Sequence, residues 1–199
     1  MVDLVDDQVG RILDVLDQTG LSENTLVIFT SDHGDYMGNH YFWFKGPFHY
    51  EDVINVPLII RLPGQTEGAG HNSSLVSLVD LAPTMLDLAG IAVPAEMDGK
   101  SLRPLFEDNA VSVRDHCLIE NRTTRRGLFP RTVVTDKYKG TFYKNQEYGE
   151  LYDLLADPHE FVNLWNNSEY TDIKEALRQV INKYPERSPD DLSPRIGYA

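Results

Sequence analysis

The sequence predicts an α/β fold in two parts. Residues 1–110 form a layered region of helices and buried strands, and residues 111–199 form an antiparallel β subdomain with a terminal helix and tail. Two observations carry this. Through the first half, helical periodicity alternates with short continuous apolar runs, the pattern of helices covering a sheet. Beyond about residue 114 the runs become strand-like segments joined by short polar turns, the pattern of a meander.

The elements follow in order. Val2, Val5, Val9, Ile12, Leu13 and Leu16 recur at helical spacing, with Asp3, Asp6, Asp7, Asp14 and Asp17 between them. This is an amphipathic helix ended by Gly20. The run TLVIFT, residues 25–30, shows no alternation and reads as a central strand covered on both faces. VPLIIRL, 56–62, is a second such run, with Pro57 near its start where a missing N–H is tolerable. The pair is expected to lie in one mainly parallel sheet. SLVSLV, 74–79, reads as a third strand, and Asp80 as the N-cap of the helix LAPTMLDLAG, with Pro83 in its first turn and Gly90 past its end. Residues 91–114 are a Pro- and Gly-containing connection with a short helix near Leu102 to Phe106. DHCLIENR, RTVVTD, KYKGTFYK and GELYDL are the meander strands. Ser168 caps a last amphipathic helix carrying Ile173, Leu177, Val180, Ile181 and Tyr184, stopped by Pro185. The tail beyond it reads as loop.

A chain of 199 residues buries about 70% of its unfolded surface and needs no staples. Its net charge of −13 argues against a nucleic-acid partner, which needs a basic face. No apolar run reaches the length that spans a bilayer, so no membrane association is expected. The single cysteine, Cys117, excludes an intrachain disulfide.

The densest chemistry follows the first strand, in SDHGDYMGNHYFWFKGPF. Ligands in open α/β sheets bind beyond the carboxyl ends of strands. Asp32 offers hard oxygen and His33 an imidazole nitrogen, both metal donors, while Gly34 and Gly38 allow tight turns beside a ligand. Lys45 is close enough in sequence to fold back over the same place. A cation beside a metal serves an anion bound between them, which suggests a sulfate or phosphate ester. An Asp-His pair at a strand end also occurs simply as a turn or helix cap, and spacing alone leaves both readings open.

TLVIFTSDHGDYMGNH, then Lys45, NVPLIIRLPG, SLVDLAPTMLDLAGI, MDGKSLRPLF and GELYDLLADPHEFVNLW together resemble, in order, the C-terminal part of sulfatases of the alkaline-phosphatase-like superfamily. The resemblance covers nearly the whole chain and favours the metal reading. It implies that Asp32 and His33 are ligands of a divalent metal, usually calcium, with manganese as the alternative that imidazole suits. It implies that Lys45 contacts the sulfate group, as a catalytic and substrate-binding residue. His40, in the same loop, is the second catalytic candidate, with loop packing as its plainer role. Arg122, Arg125 and Arg126 are clustered in an acidic chain and are candidates to read the rest of an anionic substrate such as a sulfated sugar; a solvated basic loop is the alternative.

The chain departs from the family pattern in two places. The Cys/Ser-x-Pro-x-Arg motif, whose first residue becomes the formylglycine nucleophile, is missing, since Cys117 is followed by Leu118, Ile119 and Glu120. The paired aspartates that complete the metal site are also missing; Asp6-Asp7 lies within the first helix. Calcium takes about 6–8 oxygen ligands, so two donors imply weak or no binding by this chain alone, and little or no turnover without a nucleophile. A sheet ending at an internal strand exposes pairing edges, so a homodimer or a missing N-terminal part is expected to cover it. Three functions stay open: a sulfuric ester hydrolase, a phosphonate or phosphate diester hydrolase of the same superfamily, and a non-catalytic remnant or interaction module.

Overall fold

The computed structural model describes residues 2–66, 70–107, 111–121 and 128–185. In chain order the elements are α1 (Val2–Gln18), β1 (Val27–Thr30), α2 (Glu51–Ile54), β2 (Leu58–Arg61), α3 (Leu81–Leu88), α4 (Arg103–Glu107), β3 (Cys117–Glu120), β4 (Pro130–Val134), β5 (Tyr138–Tyr143), β6 (Gly149–Asp153) and α5 (Thr171–Asn182). They divide between two compact units. The first comprises Met1–Asp32, Val56–Ser73 and Val79–Val111; the second comprises His33–Asn55, Ser74–Leu78 and Ser112–Ala199.

In the first unit the apolar stripe of α1 forms the helix expected of it, and Gly20 takes the left-handed turn beyond its end (φ 70°). No residue of α1 is buried. β1 and β2 pair antiparallel, from Val27 opposite Arg61 to Thr30 opposite Leu58. The expected mainly parallel sheet is therefore corrected. Parallel neighbours need a crossover, usually a long helix; among the described residues the chain between these strands holds only a short 3-10 turn and the four-residue α2. Nor is the pair covered on both faces, because Phe29 and Ile59 are exposed. An apolar run records that a face seeks cover, not strand direction.

One further reading is corrected nearby. Residues 74–79 form no strand; the backbone there meets side chains instead, as where Val76 O accepts a hydrogen bond from Cys117 Sγ (3.4 Å). Asp80 stands at the N-cap position of α3, as expected, but its side chain makes no capping hydrogen bond. Its own backbone is already helical, and its fully buried carboxylate accepts from Lys100 N (2.8 Å). Thr84 Oγ1 donates to Asp80 O (2.5 Å) and accepts from Leu102 N (2.9 Å). Gly99 sits so close to Val79 O that a Cβ would lie 2.0 Å from it. These contacts tie the MDGKSL segment to α3 and explain why that sequence carries Gly and small polar residues.

The second unit is built on the meander. Its sheet order is β3-β4-β5-β6, antiparallel throughout. Side chains alternate between two faces, as the pleat requires. One face carries Leu118, Val133, Phe142 and Leu151, packed with Trp165 and with Leu177 and Ile181 of α5. The other face carries Thr132, Lys139, Thr141, Tyr143 and Tyr152, all buried. The helix start differs from expectation: Ser168 does not cap α5, which begins at Thr171 without a side-chain cap, and Asn167 caps the preceding 3-10 turn by accepting from Glu169 N (3.0 Å).

The DPHEFVNLW segment packs under the edge of β6. Asn163 Oδ1 accepts from Leu151 N and Trp165 N (both 3.0 Å), and its Nδ2 donates to Gly149 O (3.1 Å). One side chain thus stands in for a missing neighbouring strand. Trp165 covers Gly149, where a Cβ would lie 2.4 Å from the indole. Among the described residues no helix is long and apolar enough to cross a membrane.

Candidate functional site: the His33–Lys45 loop

Asp32, two residues after β1, ends the first segment of the first unit, and His33 opens the first segment of the second. Within the second unit the structure brings His33 and Lys45 together. Lys45 Nζ lies 3.3 Å from His33 Nε2, and His33 Nδ1 lies 2.8 Å from Gly34 O. A carbonyl only accepts, so Nδ1 carries a proton in this contact. Nε2 then presents its lone pair, and the Lys45 ammonium donates to it.

The loop that bears these residues is clamped at several points. Tyr36 is almost fully buried; its hydroxyl donates to Phe48 O (2.8 Å) and accepts from Phe48 N (3.1 Å). Tyr36 N–H reaches Phe44 O (3.1 Å) and Gly38 N–H reaches Phe42 O (2.9 Å). Gly46 lies against the Tyr36 ring, where a Cβ would come within 3.0 Å. At the other end Gly34 N donates to Val53 O (2.9 Å), and Asn39 Nδ2 donates to Asp52 Oδ1 (2.8 Å). Gly34 has no substitute there, because a Cβ would lie 1.9 Å from Asp52 O.

Met37, His40, Tyr41 and Phe44 all take left-handed backbone (φ 50°, 50°, 61° and 61°). Non-glycine residues in that region cost of order 1 kcal/mol or more each and persist where surroundings over-determine them. The clamps supply that determination. His40 stacks face to face on Tyr50, with ring centroids 3.7 Å apart. Burial is the main cause that holds its pKa below the usual imidazole value. Lys45, Tyr36, Phe42, Trp43 and Phe48 line a hollow of about 230 Å³.

Behind the loop lies a group of buried polar residues that sequence reasoning missed. Lys139 Nζ donates to His49 O (2.8 Å) and Glu51 Oε1 (3.1 Å) and pairs with Glu160. Glu160 Oε2 accepts from Glu51 N (2.7 Å). His49 Nδ1 meets Thr132 Oγ1 (2.8 Å), and Thr132 Oγ1 meets Thr141 Oγ1 (2.8 Å). Burial pushes the His49 pKa down to about 4, assisted by the Lys139 charge. Burial raises the Glu150 and Glu160 carboxyls, and pushes the Tyr36 phenol up to about 12. Alternation along KYKGTFYK assigns Lys139, Thr141 and Tyr143 to one face, but not whether that face is wet. His49, buried and bonded to Thr132, has a structural role here.

Among the described residues no group of three or more His, Cys, Asp and Glu side chains could hold a metal ion. Asp32 and His33 provide two donor groups, and the Nε2 lone pair of His33 faces Lys45. This donor set falls short of a divalent-metal shell. Arg122, Arg125 and Arg126 lie outside the described residues. Arg131, next in the cluster, bonds Glu120 Oε1 (2.7 Å) and Tyr184 O (2.9 Å).

The family model described as N-sulphoglucosamine sulphohydrolase, C-terminal, matches residues 38–187. This chain belongs to the sulfatase family. It is 34% identical to an N-acetylglucosamine-6-O-sulfatase of Bacteroides thetaiotaomicron, over 94% of this chain and 35% of that protein. It is 36% identical to a Δ4,5-hexuronate-2-O-sulfatase of the same bacterium, over 94% of this chain and 40% of that one. It thus spans a little over a third of the length of these relatives. A structure solved with its substrate D-glucosamine-2-N,6-O-disulfate superposes with a TM-score of 0.84 at 32% identity, covering 92% of this chain and 38% of the other. The phosphonate monoester hydrolase of Agrobacterium radiobacter superposes with a TM-score of 0.81 at 29% identity, covering 92% and 39%. The match is to the C-terminal portion of sulfatases. It bears out the α/β class with an antiparallel subdomain and terminal helix.

Proposed function

We propose that this sulfatase-family chain supplies the anion-holding part of a sulfuric ester hydrolase site, and that the groups completing the site come from outside these 199 residues. The observation that carries the reading is Lys45 Nζ held 3.3 Å from His33 Nε2 on a clamped loop. In this reading Lys45 neutralises charge on a sulfate oxygen, as a fixed donor aimed where negative charge sits. Asp32 and His33 are the chain's share of a divalent-metal site, for calcium or manganese, and hold such an ion weakly alone. His40, stacked on Tyr50 in the same loop, is the second catalytic candidate. Arg122, Arg125 and Arg126 extend the site toward an anionic, sulfated sugar, in keeping with the disulfated glucosamine bound by the relative noted above.

The sequence has no Cys/Ser-x-Pro-x-Arg motif, and a covalent mechanism without its nucleophile loses several orders of magnitude in rate. The chain alone is therefore expected to show no useful turnover of aryl sulfates. The test is hydrolysis of a chromogenic aryl sulfate with added calcium or manganese, comparing the chain with Asp32→Ala. Turnover that disappears in the variant would mean that the site is complete, and the proposal would fall. The likeness to a phosphonate monoester hydrolase supports a second reading, in which the held group is a phosphonate or phosphate ester. Competing titrations with inorganic sulfate and methylphosphonate, followed at Lys45, separate the two.

A further inference from the structure

Lys139 is a charged side chain only 1% exposed, on a strand, far in sequence from the loop that it serves. An ammonium has three N–H groups. Here Nζ donates to His49 O and Glu51 Oε1 and forms an ion pair with Glu160. Two of the three partners belong to the loop segment 49–51. Glu160 adds a second grip on that segment, through Glu51 N. The chain between these anchors and the candidate site is short and bonded throughout. Two residues beyond Glu51, Val53 O accepts from Gly34 N, next to His33. On the other side Phe48, next to His49, is bonded through both main-chain groups to Tyr36, and Lys45 lies three residues before it.

Burying such an ion pair seldom adds net stability, and apolar pairs of similar volume often replace one at no cost. An apolar pair, however, cannot donate to His49 O or accept from Glu51 N. We propose that Lys139, with Glu160, is a positioning residue: the pair fixes the backbone of residues 49–51 so that His33 and Lys45 meet in anion-binding geometry. The proposal rests on the reading of Lys45 as the anion-holding group.

The test uses the full chain and two variants, Lys139→Met and Lys139→Met/Glu160→Gln. The single variant leaves Glu160 buried without its cation, so its thermal midpoint falls. The double variant removes both charges and regains most of that loss. The deciding readout is the ¹⁵N shift pair of the His33 ring at fixed neutral pH, assigned with His33→Gln. In the unaltered chain the pair reports a proton on Nδ1. In the double variant the two shifts converge, as the Gly34 O and Lys45 contacts loosen. Binding of inorganic sulfate, followed at the Lys45 and His33 amides, weakens about fivefold or more. A double variant that regains stability and keeps both the His33 shifts and the sulfate response would overturn the positioning role. If the unaltered chain gives no sulfate response, the anion-site reading fails by itself, and the ring shifts still decide the role of Lys139.

Discussion

His49 is a buried imidazole whose pKa is lowered to about 4, chiefly by desolvation, with Lys139 nearby. An unfolded histidine takes its proton below about pH 6.5. Between 6.5 and 4 the unfolded chain therefore binds more protons than the folded one. Stability from this group falls as pH drops through that window, by up to about 3 kcal/mol, and no further below it. The raised carboxyls of Glu150 and Glu160 act oppositely, since their contribution is lost as pH rises above the ordinary carboxylate range. Urea midpoints at pH 7 and pH 4.5 isolate the histidine: His49→Gln should lose much of the acid-side decline. A second residue-scale prediction concerns Asn163. Its replacement by alanine leaves Leu151 N and Trp165 N without acceptors at a buried place, costing about 2–3 kcal/mol in equilibrium unfolding. At this scale the meeting of His33 and Lys45 was legible, because their spacing is local. Lys139, Glu160 and His49 were not. Their partnership joins residues about ninety to over a hundred positions apart, and each alone reads as an ordinary surface or turn residue.

At the scale of elements, close approach decides what the meander tolerates. A Cβ on Gly149 would lie 2.4 Å from the Trp165 ring and 2.6 Å from Thr141 O, between a wedged indole and fixed backbone. A Cβ on Gly140 would lie 2.9 Å from Leu177 Cδ1, the far end of a flexible side chain. Gly149→Ala is thus expected to destabilise by about 2–3 kcal/mol and Gly140→Ala by less, in paired denaturant titrations. Equal losses would mean that Trp165 moves as freely as Leu177. The meander and α5 were readable because alternation and helical periodicity directly record which face is buried. The β1–β2 pair was readable as strands but not in direction. Apolar content is the same for parallel and antiparallel neighbours, and the loop between the strands, rather than the strands themselves, sets the return. SLVSLV shows the same limit from the other side: an apolar run of strand length that bonds to side chains instead of a ladder.

The whole molecule poses a question of surface. α1 exposes Val2, Val5, Ile12 and Val15, with Ile12 64% accessible, and β2 exposes Ile59 at 62%. An isolated helix of this length is marginal in water, and most helical stability comes from packing an amphipathic face. An apolar stripe of this kind on a free chain drives association. The opposing term is charge: net −13 overall, with five aspartates on α1 against one arginine. Repulsion between such faces is screened as ionic strength rises, while apolar burial is not weakened. The chain alone should therefore self-associate in a concentration-dependent way, more strongly at about 0.5 M salt than at about 0.05 M, where the Debye length is several times greater. Sedimentation velocity across a hundredfold range of concentration reads this directly. Val5→Glu/Ile12→Glu should hold the chain monomeric under both conditions, and its second unit should keep its unfolding midpoint, since no residue of α1 belongs to that core. A monomer at every concentration in high salt would show that the α1 face is not what associates, and that charge rather than apolar surface governs the behaviour of the chain.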